Sequence, residues 1–259
     1  MTGRAARGRQ VRTPAASRFW LGGRHVVLAA LLAGRATQLA LLSGGRGLEE
    51  LVALAGARGV PVQWVERMAL EAMAGPDAQG CAAWVSPLPT VDLETLLARL
   101  PRQRRCLLVA LDHLQDPHNL GAIARSAEAA GASGLMIPTH RAAGLTAAVE
   151  RAAVGALQYL PVAQAHNLPQ ALDRCRQDGF WIYGSAGDGE VDYRAASLAE
   201  RSVLVVGGEE RGMGPLVRRH CDQVLRLPLW GRTQSLNASV AAAILIYEWA
   251  RLAPPPVPH

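Results

Sequence analysis

The stretch LLVALDHLQDPHNLGAIARSA, residues 107–127, decides how the chain is read. Leu107–Leu111 is an unbroken apolar run, which suits a strand covered on both faces. A polar turn from Asp112 to His118 follows, and from Leu120 to Ala130 apolar residues recur at helical spacing. The unit then repeats. Apolar runs at Gly134–Pro138, Trp181–Ser185, Val203–Gly207 and Val224–Leu227 alternate with helical patterns at Thr146–Gly155, Leu168–Asp178, Gly214–His220 and Asn237–Arg251. Strands of this kind separated by helices predict an α/β domain on a parallel sheet. Ligands in such sheets bind beyond the carboxyl ends of the strands, so functional residues are expected in the loops after each run.

Upstream the alternation is shorter. Helices are expected at Gly23–Ala33, Leu48–Ala57 and Arg67–Ala74, and strands at Gln38–Leu42, Val62–Val65 and Cys81–Val85, which together predict a small α/β domain. Ser86-Pro87-Leu88-Pro89 breaks the pattern, a short acidic helix follows at Asp92–Leu100, and Arg104-Arg105 closes the stretch. The expected organisation is a basic arm at 1–18, a small domain at 19–88, a linker at 89–105, a larger domain at 106–253 and a tail at 254–259.

Every basic residue is arginine, because the 259-residue chain contains no lysine. That excludes a Walker-A phosphate loop, a Schiff-base lysine and a protein-kinase core. The charge is also segregated. Residues 1–105 hold 14 Arg against 7 acids, whereas residues 106–259 hold 13 Arg against 14. A GC-rich genome would explain arginine in place of lysine, but not this imbalance. Arginine matches phosphate oxygens in bidentate fashion, so the N-terminal part is expected to meet a polyanion such as nucleic acid. The arm, with Arg4, Arg7, Arg9, Arg12 and Arg18 and no acid, reads as an RNA-gripping segment, although its composition also resembles a transit peptide. Trp20, Trp64 and Trp84 offer stacking surfaces for unpaired bases, with core packing expected at Trp64 and Trp84.

The four cysteines, Cys81, Cys106, Cys175 and Cys221, have no metal-ligand spacing and are expected to be buried thiols of a reducing cytosol. No metal is expected. The longest uncharged stretch, Ala152–Leu172, contains Pro161 and Pro169 and does not read as a membrane span.

Three loops carry the candidate chemistry. After the first run, Asp116-Pro-His-Asn119-Leu-Gly121 precedes Arg125, and Asn119 is expected to cap the helix. His113 and His118 flank this loop and are expected to be hydrogen-bonded scaffold. After Val203–Gly207 comes Gly208-Glu209-Glu210-Arg211-Gly212-Met213, where glycines let backbone approach a ligand. After the last run comes Leu227-Pro228, and then Ser235-Leu236-Asn237-Ala-Ser239-Val-Ala241, with a helix capped by Ser235 or Asn237. No strand is followed by G-x-G-x-x-G, so a Rossmann cofactor site is not supported.

Taken singly each loop is ambiguous. In this order and spacing they resemble the three motifs of the SpoU (TrmH) branch of the SPOUT methyltransferases, over residues 106–251. The segment before them resembles the small α/β substrate-binding domain that often accompanies it. By length and detail the chain looks nearest to the bacterial enzymes that methylate a guanosine 2′-hydroxyl in 23S rRNA. The resemblance implies an α/β domain tied into a deep trefoil knot, S-adenosyl-L-methionine as cofactor, a homodimer, and structured RNA as partner with no membrane. It implies a cofactor pocket around Gly207, Leu227 and Leu236, with Gly187, Gly212 and Gly231 in support. Its catalytic positions fall on Asn119, Arg125, Glu209, Ser235 and Asn237, with Glu209 fixing its loop or Arg125. Glu210 departs from the family, where many members carry a small residue. Two alternatives stay open at this point: methylation of tRNA or another rRNA site, and a catalytically silent RNA-binding dimer.

Overall fold

A computed structural model describes residues 18–102, 104–139 and 144–252. The expected arm, Arg18 excepted, and the tail lie outside these residues. The N-terminal part contains β1 (Phe19–Gly22), α1 (Arg24–Leu32), β2 (Ala36–Leu42), α2 (Glu49–Ala57), β3 (Val62–Val65), α3 (Arg67–Ala74) and β4 (Cys81–Val85). Its sheet runs β1-β4-β2-β3, with β4 antiparallel to both neighbours and β2 parallel to β3. β1 was not anticipated: four residues against the basic arm give too short a pattern to read. Trp20 faces Trp84 across the β1–β4 pair, with ring centroids 5.4 Å apart. Trp64, expected in the core, is instead 55% exposed on the edge strand β3.

The larger part contains β5 (Val91–Asp92), α4 (Leu93–Arg99), β6 (Cys106–Asp112), α5 (Pro117–Ala129), β7 (Gly134–Pro138), α6 (Ala147–Ala153), β8 (Val162–Ala165), α7 (Leu168–Gln177), β9 (Trp181–Ser185), β10 (Val191–Asp192), β11 (Arg201–Gly207), α8 (Pro215–Arg219), β12 (Gln223–Arg226) and α9 (Ala238–Arg251). Eight strands in the order β10-β12-β9-β11-β6-β7-β8-β5 pair in parallel throughout. β6 is buried at every residue, and its alternation divides the core. Leu107, Val109 and Leu111 pack with α5, α6 and α9, whereas Leu108 and Ala110 pack with α4 and α7.

The stretch expected as a linker is partly structural. Val91–Asp92 pairs with β8, Asp92 caps α4 by accepting from the Thr95 amide at 2.6 Å, and Leu96 and Leu97 are buried under the sheet. An amphipathic helix of seven residues next to Pro101 reads as a tether only while the sheet it covers is unknown.

The two parts meet around a buried ion pair. The Arg35 guanidinium donates twice to the Glu150 carboxylate, each bond 2.8 Å, and a third bond from its Nε reaches the Ser86 carbonyl at 3.0 Å. The side chains are 7% and 1% exposed. The thiols of Cys81, Cys175 and Cys221 are free, and burial pushes them up to about 11, 12 and 12, which keeps them protonated. Among the described residues no helix is long and apolar enough to cross a membrane.

Candidate active site

Because every strand of the large sheet is parallel, the carboxyl ends of β6, β11, β9 and β12 lie along one edge in neighbouring positions, with Gly207 in register with Asp112. Asp112 is buried at 2% exposure, an environment that a carboxylate occupies only with its oxygens satisfied. Its Oδ2 accepts from the Gly214 amide at 2.7 Å and its Oδ1 lies 2.6 Å from His113 Nδ1. The first loop thereby grips the second. In the sequence Asp112 is only the first residue of a polar turn; its register with Gly207 gives it meaning. His113 sits at φ 58, held by Asp112, which matches its expected scaffold role.

Asn119 does not cap α5. Asp116 does, accepting from the His118 amide at 2.9 Å, with Pro117 supplying the preset φ of the first turn. Asn119 therefore lies inside the helix, 5% exposed, and its Nδ2 donates to Glu209 Oε1 at 2.6 Å. Glu209 is thus fixed by Asn119 and not by Arg125.

The second loop doubles back on itself. Gly208 and Gly212 form an antiparallel bridge, with the Gly212 amide donating to the Gly208 carbonyl at 2.9 Å. A Cβ on Gly207 would overlap the backbone of Gly212 and Met213, so that position requires glycine. In the third loop Asn237 caps α9, its Oδ1 accepting from the Ser239 amide at 2.8 Å and the Ser239 hydroxyl at 2.6 Å.

The loops after β9, β11 and β12 enclose a pocket of about 390 Å³; no residue of the first loop lines it, and Asn119 reaches it only through Glu209. Of the expected cofactor positions, Gly187, Gly207, Gly212, Leu227 and Leu236 line it, as do Glu209, Ser235 and Asn237. Gly231 does not line it, although it belongs to the third loop. Ser185 and Ala186, at the end of β9, complete the wall and were not singled out.

Arg125 stands elsewhere. Six residues along a helix advance about 9 Å and turn by about 240°, so it leaves α5 on a different face from Asn119. It is exposed and borders a cleft between α1, α5 and α6, with His25, Glu128 and Tyr159. Among the described residues no carboxylate pairs with it.

The family model described as "SpoU rRNA Methylase family" matches residues 106–247, and that described as "RNA 2'-O ribose methyltransferase substrate binding" matches residues 20–91. The chain belongs to the SpoU methylase family. YacO of Bacillus subtilis, assigned to the TrmH family of tRNA/rRNA methyltransferases, is 39% identical over 201 residues, covering 77% of this chain and 81% of its own. A TrmH-family relative from Staphylococcus saprophyticus is 35% identical over 87% of this chain and 92% of its own. The AdoMet-bound rRNA methyltransferase of Sinorhizobium meliloti superimposes with a TM-score of 0.74 at 27% identity, covering 90% of this chain and 87% of that one. The SpoU methyltransferase AviRb of Streptomyces viridochromogenes, in complex with AdoMet, gives 0.75 at 26% identity over 91% and 90%. As a SpoU-family protein the chain is an RNA methyltransferase.

Proposed function

We propose that this SpoU-family chain binds S-adenosylmethionine in the three-loop pocket and methylates the 2′-hydroxyl of a guanosine in the peptidyl-transferase loop of 23S rRNA, in the cytoplasm. The observation that carries this reading is the convergence of loops far apart in sequence on one pocket, with Glu209 in its wall locked by Asn119. The residues suit the cofactor. A volume of about 390 Å³ is in the small-ligand range, Gly207 and Gly212 bring main chain close, and Leu227 and Leu236 offer apolar surface. Bound there, the cofactor supplies an electrophilic sulfonium methyl.

A ribose hydroxyl is a weak nucleophile and needs alignment and relief of developing charge. Glu209, fixed by Asn119, orders the second loop beside the pocket. Asn237 spends its oxygen on the α9 cap, which leaves its amide nitrogen, together with Ser235, to orient the ribose or a partner subunit's contacts. Arg125 anchors the target phosphate and stabilises the alkoxide, because a guanidinium stays charged at working pH and serves poorly as a base. It lies outside its own chain's pocket, so a second copy has to bring it there. The exposed apolar residues Leu236, Val240 and Tyr247, at 39, 47 and 52%, follow one face from the pocket rim along α9 and suit that homodimer contact. We expect the returning segment 227–237 to be threaded as the family's trefoil knot, an exception to the rule against threaded chains.

Purified protein incubated with S-adenosylmethionine and unmodified 23S rRNA should place one new 2′-O-methylguanosine in the peptidyl-transferase loop, read by mapping methyl groups along the transcript. Transfer to tRNA or to another rRNA position would replace the 23S assignment. No transfer to any RNA, with the cofactor bound, would leave the silent RNA-binding dimer. Within the same assay, Gly207→Ala should weaken cofactor binding at least tenfold by calorimetry and cost about 1–3 kcal/mol in urea unfolding, as overpacking does. Unchanged affinity would move the cofactor to another pocket.

A further inference from the structure

The family match assigns residues 20–91 to substrate binding but says neither where nor in what form RNA is held. We propose that an arginine-rimmed cavity in this domain takes one unstacked nucleotide of the RNA, base inward and phosphate at the rim, as an anchor separate from the methylation site. The proposal rests on RNA being the substrate.

The cavity, of about 490 Å³, lies where the end of β2, the start of α3 and the 76–80 turn converge. Leu42, Leu48 and Leu70 form its apolar floor, and Arg24, Arg46 and Arg67 line it together with one carboxylate, Glu71 beside Arg67. That combination suits a nucleotide: an apolar floor for the faces of a base, and guanidinium groups for a phosphate. It suits a duplex poorly, because a helix offers its backbone outward and keeps its base faces stacked.

Two features make this a preorganised site. The Arg24 guanidinium is held by backbone carbonyls alone, donating through Nε to Gln79 at 3.3 Å and through a terminal nitrogen to Arg46. Neutral acceptors fix its position and leave its charge uncompensated. Gly47, at φ 70, a conformation that favours glycine, brings the 44–47 turn against that guanidinium, where an added Cβ would lie 2.7 Å from a terminal nitrogen. Among the described residues neither Arg24 nor Arg46 has a carboxylate partner, and Arg67 reaches only Glu71 at 3.7 Å, both exposed. Elsewhere Arg174, Arg176, Arg194, Arg201, Arg218 and Arg251 are each closed by a carboxylate at 2.7–3.0 Å, whereas Arg125, beside its own cleft, is open like the rim arginines. Arg24 and Arg46 thus keep their charges open at the rim.

The cavity also has an outlet in a useful direction. Gln79, at φ 53, lines both it and a second cavity at the seam between the two parts, where His25, His118 and Arg151 stand. His118 is the chain neighbour of Asn119, which holds Glu209. A strand anchored at Arg24 and passing over Gln79 is thereby led toward the catalytic loops. The anchor would then set which nucleotide, counted from the extruded one, reaches the site.

The test uses the full chain and a transcript of the 23S rRNA peptidyl-transferase domain carrying 4-thiouridine or 6-thioguanosine. Irradiation should give cross-linked peptides from residues 42–48 and 76–80. Uridine or guanosine 5′-monophosphate should suppress these cross-links at concentrations at least tenfold lower than ribose 5-phosphate, because only the nucleotides fill the floor. Arg46→Ala should weaken RNA binding about tenfold and lower the salt-dependence slope by about 0.7–0.9, the loss of one phosphate contact, with cofactor affinity unchanged. Cross-links confined to other peptides, equal competition by ribose 5-phosphate, or an unaltered slope would each overturn the proposal. Methyl transfer by the wild type is scored separately: cross-links at these peptides without transfer to this transcript would sink the 23S assignment and keep the anchor, and transfer without them the reverse.

Discussion

Arg125→Ala is expected to lower methyl transfer by about three orders of magnitude while cofactor affinity and overall RNA affinity stay within a few-fold, as removal of a charge-stabilising donor does elsewhere. The stronger test is complementation. Arg125 borders the α1–α5–α6 cleft of its own chain and not the three-loop pocket. If a second copy completes each site, a chain lacking Arg125 can still lend its pocket, and a chain with a blocked pocket can still lend its arginine. Arg125→Ala mixed with an equal amount of Gly207→Val and allowed to exchange subunits should therefore recover about a quarter of wild-type activity, since half the dimers are mixed and each has one intact site. Two inactive proteins that stay inactive when exchanged would put Arg125 in its own subunit's chemistry or outside it altogether. An Arg125→Ala variant of full activity would falsify the catalytic assignment.

Arg35→Ala should destabilise the protein by about 3–5 kcal/mol, the usual consequence of leaving a buried charge alone. Burial pushes the Glu150 carboxyl up, and the two hydrogen bonds from Arg35 oppose that shift. Without them the carboxyl must either stay ionised at 1% exposure or take up a proton. Urea unfolding should show the loss, with the N-terminal part melting ahead of the rest because its main polar tie to α6 is gone. A double variant, Arg35→Met with Glu150→Leu, should recover much of the stability, which a single deletion cannot. A loss under about 1 kcal/mol for Arg35→Ala would mean that water reaches the pair.

Much of the fold was legible because burial on two faces leaves a long signature. Leu107–Leu111 and Val203–Gly207 are apolar throughout, and their placement at the centre of a parallel sheet follows. The edges were harder. β5 and β10 have two residues each, and β8 carries Gln164 in a four-residue strand, so neither period nor composition marks them. The pocket residues could be expected from a family pattern, and five of six cofactor positions fall on its lining. Their geometry could not. Asp116-Pro117 competes with Asn119 for the cap, and the proline at the first helical position favours Asp116. Asp112 acquires its role only from a partner strand 95 residues on. Arg125 shares a helix with Asn119 but not a face, a point that helical geometry alone would have given.

The two bonds that join the first loop to the second have a consequence for how the chain matures. Asp112 to Gly214 spans 102 residues and Asn119 to Glu209 spans 90. The N-terminal sheet closes within residues 19–85, whereas β6 waits for β11 before its end is satisfied. Closing such long loops is slow, so the two parts should finish folding in the order they leave the ribosome, the second well after the first. Until then a buried carboxylate and a buried amide have no partners, and a chain truncated before β11 would have neither its central strand pair nor a site.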